Sequence, residues 1–467
     1  MISRRELLRQ CGAGFGSIAL SSLLADLSAE ALAKGERPQD DGLTPRPPVF
    51  PARAKRVIFL FMHGGPSAVD TFDYKPLLLR DDGKPLPFAK PRVVFAQTNN
   101  LLRSPWEFRQ HGQSGAWVSS LFPNVARYAD DLAIVKSLHG SNPAHGGACL
   151  KIHTGSDTFV RPSLGAWVSY GLGTENRNLP SFITLNPTLG HGGVQNFGAG
   201  FLPAIHQGTR IALPAEPQAP ITIPNATNSD VTAEEQRIQL DLLHDLERLQ
   251  TRRSGADAAL EARIESFELA FRMQSTAPGV MDLNGESEST KKLYGLGVKP
   301  TDAFARQCLL ARRFAEAGVR FIQVTHGYWD QHSDLKSKHG ELAAEVDRPI
   351  AALLGDLKAR GLLDDTLVIW GGEFGRTPVA EGKDGRDHNP HGFTWWMAGG
   401  GVKGGISYGS TDDYGFFAAE DKVHVHDLHA TILHLLGLDH FRLTFRHAGR
   451  DFRLTDVEGH VVQELLA

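Results

Sequence analysis

The chain has 467 residues, of which 41% are hydrophobic, and a formal net charge of −4 at pH 7. This length and composition fit one large α/β enzyme with insertions, and the slightly acidic balance excludes a basic nucleic-acid-binding body. The three cysteines form no Cys-x-x-Cys pair, so a metal would be held by some of the 20 histidines and by carboxylates. Cys149 and Cys308 could pair, although their spacing does not indicate it.

The N-terminus carries the pattern of an export signal. Ser3-Arg4-Arg5 precedes a soft apolar run from Cys11 to Ala25, and Ala31-Leu32-Ala33 has the small-x-small form of a signal-peptidase site. We therefore expect a twin-arginine signal peptide over residues 1–33, a Pro-rich linker over 34–54, and a periplasmic or cell-surface location. The alternative is a short N-terminal helix with two exposed arginines. No later run approaches 18 apolar residues, so we expect no integral membrane segment in the mature chain.

Five short apolar runs are typical of buried strands. They are RVIFLFM (56–62), LAIVKSL (132–138), SFITL (181–185), FIQVTH (321–326) and TLVIWGG (366–372). Helical patterns over 303–318 and 341–361 precede the last two runs. This alternation predicts an α/β fold over residues 55–467, a three-layer α/β/α sandwich with a mostly parallel sheet.

One region departs from this alternation. Residues 232–274 are charged along their length and match a 3.6-residue period, with Leu240, Leu243 and Leu246 among the apolar positions. We expect them to form a helical insertion that is separable from the core.

Histidine and carboxylate side chains follow several of the predicted strands. Because ligands of an open parallel sheet bind beyond the carboxyl ends of its strands, we expect these side chains to meet at one edge and bind a divalent metal. Imidazoles and carboxylates suit Zn²⁺ or Mn²⁺ better than Ca²⁺, which prefers an all-oxygen shell. Each residue taken alone is more typical of an ordinary loop, and the convergence carries the prediction. The predicted ligands are His63, Asp70, Asp330, His332, Glu373, His388 and His391.

The order of these motifs resembles the alkaline-phosphatase-like superfamily, which includes sulfatases, metal-dependent phosphoglycerate mutases and phosphodiesterases. More narrowly, HGGPSAVDTFDYKP, GYWDQHSD, GGEFGRTP and the C-terminal block are similar to the family called domain of unknown function 1501, over residues 50–467. The resemblance implies an alkaline-phosphatase-like fold and a metal-dependent hydrolase of sulfate or phosphate esters, acting on a small molecule or a polysaccharide. The alternative is a non-catalytic binding or scaffold protein on the same fold.

The resemblance also implies catalytic residues, with departures from the superfamily pattern. The sulfatase motif Cys/Ser-x-Pro-Ser/Ala-Arg is similar to the run from Ser141 to His145, with histidine in place of arginine. Ser141 would be the nucleophile at a helix N-terminus, or a plain N-cap. Arg376 would neutralise substrate charge or form a structural salt bridge. His63 replaces the usual aspartate, and Glu373-Phe374 replaces the usual Asp-His pair.

Overall fold

A computed structural model describes residues 42–89, 97–214, 230–255 and 257–467, together with positions 219, 221 and 223. The predicted signal peptide and the first part of the predicted linker lie outside the described residues. From Gly42 onward the linker packs against the rest of the chain: the Thr174 N–H donates to the Leu43 carbonyl at 2.9 Å, and Leu43 is buried. The folded unit therefore includes residues 42–54, which the sequence assigned to a linker.

A nine-stranded sheet forms the middle layer of the domain. Its strands are β1 (Arg56–Met62), β2 (Leu132–His139), β3 (Phe182–Leu185), β4 (Thr209–Ile211), β5 (Phe321–His326), β6 (Thr366–Gly371), β7 (Phe393–Ala398), β8 (Ile406–Tyr408) and β9 (Val423–His424). The spatial order is β8-β2-β7-β6-β1-β5-β3-β4, with β9 beside β2. Every neighbouring pair is parallel except the two pairs made by β7.

Ten helices are described along the chain. They are α1 (Ala68–Thr71), α2 (Pro76–Arg80), α3 (His145–Thr154), α4 (Leu164–Leu172), α5 (Ala233–Ser254), α6 (Ala258–Met281), α7 (Glu288–Tyr294), α8 (Asp302–Glu316), α9 (Leu335–Ala359) and α10 (Val425–Leu435). Short 3₁₀ turns lie at Val125–Asp131, Gly193–Phe197, Ala204–His206, Leu283–Gly285, Leu363–Asp365 and Gln463–Leu465. Within the described part of the chain, no helix is long and apolar enough to cross a membrane.

The side chains of β1 alternate between two hydrophobic clusters, which shows that the sheet is covered on both faces. Ile58, Leu60 and Met62 join a cluster that includes residues of α8 and α9. Val57, Phe59 and Phe61 join a second cluster that includes residues of α3, α4 and α10. A strand that is buried on both faces has a nearly continuous apolar sequence, as β1 does with RVIFLFM. The predicted three-layer α/β/α sandwich is confirmed.

The register of the sheet brings several strand ends to one edge. β1 pairs in parallel with β5 and β6, and Met62 is opposite His326 while Phe61 is opposite Gly371. β7 runs the other way, with Trp396 opposite Trp370, so the segment that precedes β7 arrives at the same edge. That segment includes strands Gly375–Glu381 and Gly385–Asn389, which form a small antiparallel sheet with Thr98–Leu101.

The predicted insertion corresponds to α5 and α6, which are joined by hydrogen bonds from Arg237 to Glu268. The buried residues of α5 are Leu240 and Glu247. α6, by contrast, contributes Leu269 and Met273 to the hydrophobic cluster that covers one face of the central sheet. The second helix is thus anchored in the main core, and the separability of the pair stays a prediction. The remaining two-stranded sheets pair Phe108–His111 with Ala116–Ser119, Ser410–Thr411 with Ala418–Glu420, and Phe445–His447 with Arg450–Phe452.

Candidate metal centre

The turn after β1 is built around a glycine. Gly64 has φ +114°, and a Cβ at this position would lie 2.6 Å from the Trp329 nitrogen, so a side chain would clash with backbone. The Gly64 N–H donates to both carboxylate oxygens of Glu373, at 2.9 and 3.1 Å. This turn therefore fixes the buried Glu373 carboxylate, which follows β6, beside the end of β1 and next to His63.

Asp330, His332 and His388 form the first ligand group, hereafter the Asp330 group. The Nε2 atoms of His332 and His388 lie 2.9 and 3.1 Å from Asp330 Oδ1 and 3.1 Å from each other. Each ring is held on its other side by an acceptor: His388 Nδ1 lies 2.7 Å from the Pro143 carbonyl, and His332 Nδ1 contacts the Glu381 carboxylate. Since those acceptors require an N–H at Nδ1, the Nε2 atoms of neutral rings present lone pairs to Asp330.

Three acceptor atoms thus converge in the Asp330 group, and carboxylate and carbonyl partners behind ligating imidazoles are typical of metal centres. In the absence of a cation, a proton must take its place on one ring. The hydrogen bond to Asp330 raises the pKa of His332, whereas burial lowers the pKa of His388. These opposing shifts favour His332 over His388 as the ring that carries the proton.

A second set of ligand atoms, hereafter the His63 group, lies next to the first and comprises atoms of His63, His191, Cys149 and Glu373. His63 Nε2 is 3.1 Å from His191 Nδ1, and ligand atoms of His63, His145 and His191 lie within 4.8 Å of one another. The same spacing holds for His63, Cys149 and Glu373. Burial lowers the pKa of His63 and raises that of the Cys149 thiol well above its usual value, so this cysteine is protonated at neutral pH.

His145, the first residue of α3, joins the two groups. Its Nδ1 lies 2.6 Å from Glu373 Oε1, and its Nε2 lies 3.2 Å from Asp330 Oδ2. Burial lowers the pKa of His145, but the two carboxylates on either side outweigh this effect and raise it to about 9. The ring is therefore cationic at neutral pH unless a metal displaces its proton. Of the predicted ligands, Asp330, His332 and His388 lie in the first group and His63 and Glu373 in the second, and His145 contacts both. The single ion that the sequence predicted stays a prediction.

Two predicted ligands are not brought to either group. Asp70 is fully buried and pairs with Arg386, whose Nε donates to Asp70 Oδ2 at 2.7 Å. His391 lies beside Phe416 and Phe417, with ring centroids 6.4 and 5.6 Å away. Among the described residues, neither Asp70 nor His391 belongs to a cluster with metal-ligand spacing. The expectation that side chains following the strands meet at one edge therefore does not extend to Asp70 and His391.

Arg376 is fully buried and holds the loops around the site together. Its Nε donates to the Gly65 carbonyl at 3.0 Å, and its Nη2 donates to the Trp329 carbonyl at 3.2 Å and to Asp330 Oδ1 at 2.6 Å. Nη2 also contacts the Gly64 carbonyl. With its N–H groups used in this way, Arg376 positions Asp330, and the geometry favours the structural alternative over direct contact with substrate charge.

Ser141 is exposed in the loop between β2 and α3. The N-cap of α3 is Ala144, so the interpretation of Ser141 as a plain N-cap is wrong. The loop itself lies against the Asp330 group, because the carbonyl of Pro143, two residues further on, accepts the His388 hydrogen bond. Ser141 therefore stays a predicted nucleophile that the structure places near the site without a defined role. Cys149 and Cys308 are free and buried, so they form no disulfide.

Sequence reasoning missed His191 and Glu381. His191 follows β3 after a five-residue loop, residues 186–190. The expectation that side chains after the strands meet at one edge therefore covers His191 as well. Glu381 lies at the end of a strand in the small sheet, and no local pattern marks it as the partner of His332. Only the folded register of that sheet brings Glu381 to the site.

A cleft with a volume of about 550 Å³ opens beside both groups. His63, His145 and Asp330 lie in its wall. The described lining residues include neutral polar side chains, aromatic rings and one further acid, and none of them is lysine or arginine; examples are Asn186, Thr188, Phe304, Gln307, Thr325, Tyr328 and Glu345. The buried Gln307 Oε1 and Thr325 Oγ1 have no hydrogen-bond partner among the described residues.

Comparison with curated proteins gives no match. Solved structures give distant matches. The protein named Ps i-CgsB is 12% identical, with 83% of this chain and 72% of that chain covered and a TM-score of 0.38. The lipoteichoic acid synthase LtaP from Listeria monocytogenes is 12% identical, with 89% and 78% covered and a TM-score of 0.33. Alkaline phosphatase from the Antarctic bacterium TAB5 is 11% identical, with 82% and 98% covered and a TM-score of 0.33.

The profile of one protein family matches almost the whole folded part of the chain, over residues 54–466. The narrower of the two resemblances in the sequence is thereby confirmed: the chain belongs to the family described as "Protein of unknown function (DUF1501)".

Proposed function

We propose that this protein is an exported, metal-dependent hydrolase of sulfate or phosphate esters. The observation that carries the proposal is the Asp330 group, in which two imidazole lone pairs and a carboxylate oxygen meet within 3.1 Å while their other sides are held by Pro143 and Glu381. Acceptors placed so closely repel one another unless a cation or a proton lies between them.

The donor set of the Asp330 group fits Zn²⁺ or Mn²⁺, because it combines imidazole nitrogens with a carboxylate and contains no thiolate. When bound, such a metal would act as a Lewis acid on a non-bridging oxygen of the ester. The chain itself would hold the ion with Asp330, His332 and His388. Glu381 and Pro143 fix the tautomers of the two rings, and Arg376 fixes the carboxylate.

The residues that line the cleft favour an ester substrate whose alcohol part carries no charge. The described lining offers amide, hydroxyl and aromatic groups, which suit the hydroxyls of a neutral alcohol. The anionic part would be neutralised by metal and by the cationic ring of His145, because no lysine or arginine is among the described residues that line the cleft. A sulfate or phosphate ester of a small sugar or of a polysaccharide combines such a neutral alcohol part with an anionic part.

The attacking group is Ser141 or water. Cys149 is excluded as a nucleophile because it is buried and burial raises the pKa of its thiol. The exposure of Ser141 favours a second candidate function, a non-catalytic binding protein that keeps the metal centre and lacks a nucleophile. Hydrolysis by the metal-loaded protein, with Ser141 or with water as the attacking group, therefore separates the two functions.

The test is hydrolysis of p-nitrophenyl sulfate and p-nitrophenyl phosphate by the purified protein loaded with Zn²⁺ or Mn²⁺. We expect activity that EDTA abolishes and that His332→Ala lowers together with metal content. Ser141→Ala should lower kcat by at least about a thousandfold if Ser141 is the nucleophile. Ser289→Ala is the matched control, because Ser289 on α7 is also exposed. A fully metallated protein that hydrolyses neither ester, nor any sulfated or phosphorylated saccharide, would support the binding protein instead.

A further inference from the structure

A cluster of ligand side chains outside the site already described lies at the start of α10. Ligand atoms of His424, His426 and Glu458 lie within 4.8 Å of one another. His426 contacts the carbonyl of Gly155, which follows the C-terminal end of α3, whereas His145 begins that helix. Ten residues of α-helix span about 15 Å, so this cluster is separate from the groups that His145 joins.

The hydrogen bonds around the two imidazoles leave three acceptors facing one another. His426 Nε2 lies 2.8 Å from the Gly155 carbonyl, which requires an N–H at Nε2 and leaves a lone pair at Nδ1 of the neutral ring. His424 Nδ1 accepts the backbone N–H of His426 at 3.3 Å, so it carries no proton, and a metal at this nitrogen would replace that long hydrogen bond because the nitrogen has one lone pair. Glu458 Oε2 lies 3.0 Å from His426 Nδ1 and 3.4 Å from His424 Nδ1. The contact of His426 with a backbone carbonyl is the arrangement that orients ligating histidines.

The cluster is anchored on one side and open on the other. The side chain of His426 is 4% exposed and that of His424 is 24% exposed, whereas the Glu458 side chain is 57% exposed. Burial, followed by the neighbouring His426 and Lys151, lowers the pKa of His424 to about 4. Asp427 accepts the backbone N–H of His424 at 2.9 Å. An ion could therefore enter from solvent past Glu458 onto two pre-oriented imidazoles.

We propose that His424, His426 and Glu458 bind a divalent transition metal of the Zn²⁺ class. Two imidazole nitrogens and one carboxylate oxygen form a three-ligand set that leaves a fourth position for water. Glu458 belongs to the C-terminal segment, which also contributes the buried Leu454 and Leu465 to the cluster beneath α10. The metal would therefore cross-link this segment to the start of α10.

The test compares Zn²⁺ binding by the wild type and by Glu458→Gln. Glu458 is largely exposed, so this variant should fold normally, which circular dichroism verifies. In equilibrium dialysis against Zn²⁺ we expect the wild type to bind one more equivalent per chain than the variant at low free Zn²⁺, with an affinity difference of at least about tenfold. His460→Ala, an exposed histidine two residues further on, is the matched control and should bind as the wild type does.

A second readout reports on the cross-link. Zn²⁺ should slow amide hydrogen exchange over residues 454–462 in the wild type and in His460→Ala, and should not slow it in Glu458→Gln. Equal Zn²⁺ stoichiometry and affinity in the wild type and Glu458→Gln would overturn the proposal, because His426 would then be an imidazolium paired with Glu458. Equal losses in Glu458→Gln and His460→Ala would overturn it too, because they would indicate adventitious surface binding only.

Discussion

Replacing Asp70 by asparagine tests whether this residue is structural, as the geometry indicates, or a metal ligand, as the sequence predicted. Its carboxylate accepts hydrogen bonds from Arg386 at 2.7 and 3.2 Å and from the Ser67 hydroxyl at 2.5 Å. Both charged side chains are fully buried. Arg386 also donates to the carbonyls of Thr377 and Leu102, at 3.1 and 3.0 Å, so it cannot turn out into solvent when its partner charge is lost.

The size of the effect follows from this burial. Removing one member of a buried ion pair costs about 3–5 kcal/mol, because the other charge stays in the interior without compensation. Asn keeps an acceptor for Arg386, so we expect the free energy of unfolding of Asp70→Asn to fall by about 3 kcal/mol. The unfolding entropy of a domain of roughly 430 residues is about 0.9 kcal/mol/K, which converts that loss into a decrease in Tm of about 3 °C.

The assay is thermal unfolding followed by circular dichroism, with metal content measured on the same samples. Asp131→Asn is the control, because Asp131 pairs with the exposed Lys358 at 2.6 Å and a surface pair contributes at most about 1 kcal/mol. Asp70→Asn should lower Tm more than Asp131→Asn does and should retain the metal of the wild type. The structural interpretation is refuted if Asp70→Asn keeps the wild-type Tm and loses metal.

Three further outcomes are expected. Replacing Arg4 and Arg5 by Lys should keep the precursor in the cytoplasm, and unchanged delivery to the periplasm in cell fractionation would argue against twin-arginine export. Deleting α5 behind a short linker should leave a soluble, folded chain, whereas Leu269→Ala should lower the free energy of unfolding by about 2–5 kcal/mol in urea titrations; an insoluble deletion variant would place α5 in the main core. Burial lowers the pKa of His339 and of His429 to about 3. Between pH 6.5 and 5, these two histidines therefore bind protons in the unfolded chain and stay neutral in the folded chain. The free energy of unfolding in EDTA should fall by about 2 kcal/mol per histidine over this range. A constant urea midpoint over that range would contradict this linkage.

The fold was largely predictable because the central strands are buried on both faces. β1 and β5 begin and end at the residues that the apolar runs predicted, 56–62 and 321–326. Parallel strands end at a common edge, so placing His63, Asp330, His332 and Glu373 together required no tertiary information. The extent of the folded unit was less predictable, because residues 42–54 are polar and Pro-rich yet hydrogen-bond to the domain.

The exact membership of the site was not predictable from strand ends alone. Asp70 also follows β1, but its partner Arg386 is 316 residues away in sequence, in the small sheet, and no local pattern connects the two. His388 and His391 lie in the same short segment, yet only His388 faces Asp330, because strand Gly385–Asn389 ends between them. Glu381 enters the site through the same small sheet. The small antiparallel sheet thus decides which of the predicted ligands lie close together.

Metal content of the purified protein at pH 7 tests the central claim most directly. The Glu458→Gln protein serves as the background, so that the cluster of His424, His426 and Glu458 does not contribute. It should be compared with its Asp330→Asn and Asp70→Asn variants by inductively coupled plasma mass spectrometry after dialysis against metal-free buffer. We expect at least about one equivalent of Zn or Mn per chain in the background protein and in Asp70→Asn, and a loss of about one equivalent in Asp330→Asn. A background protein that remains metal-free after incubation with Zn²⁺ and Mn²⁺, or an Asp330→Asn variant that binds as much metal as the background protein, would contradict the central claim.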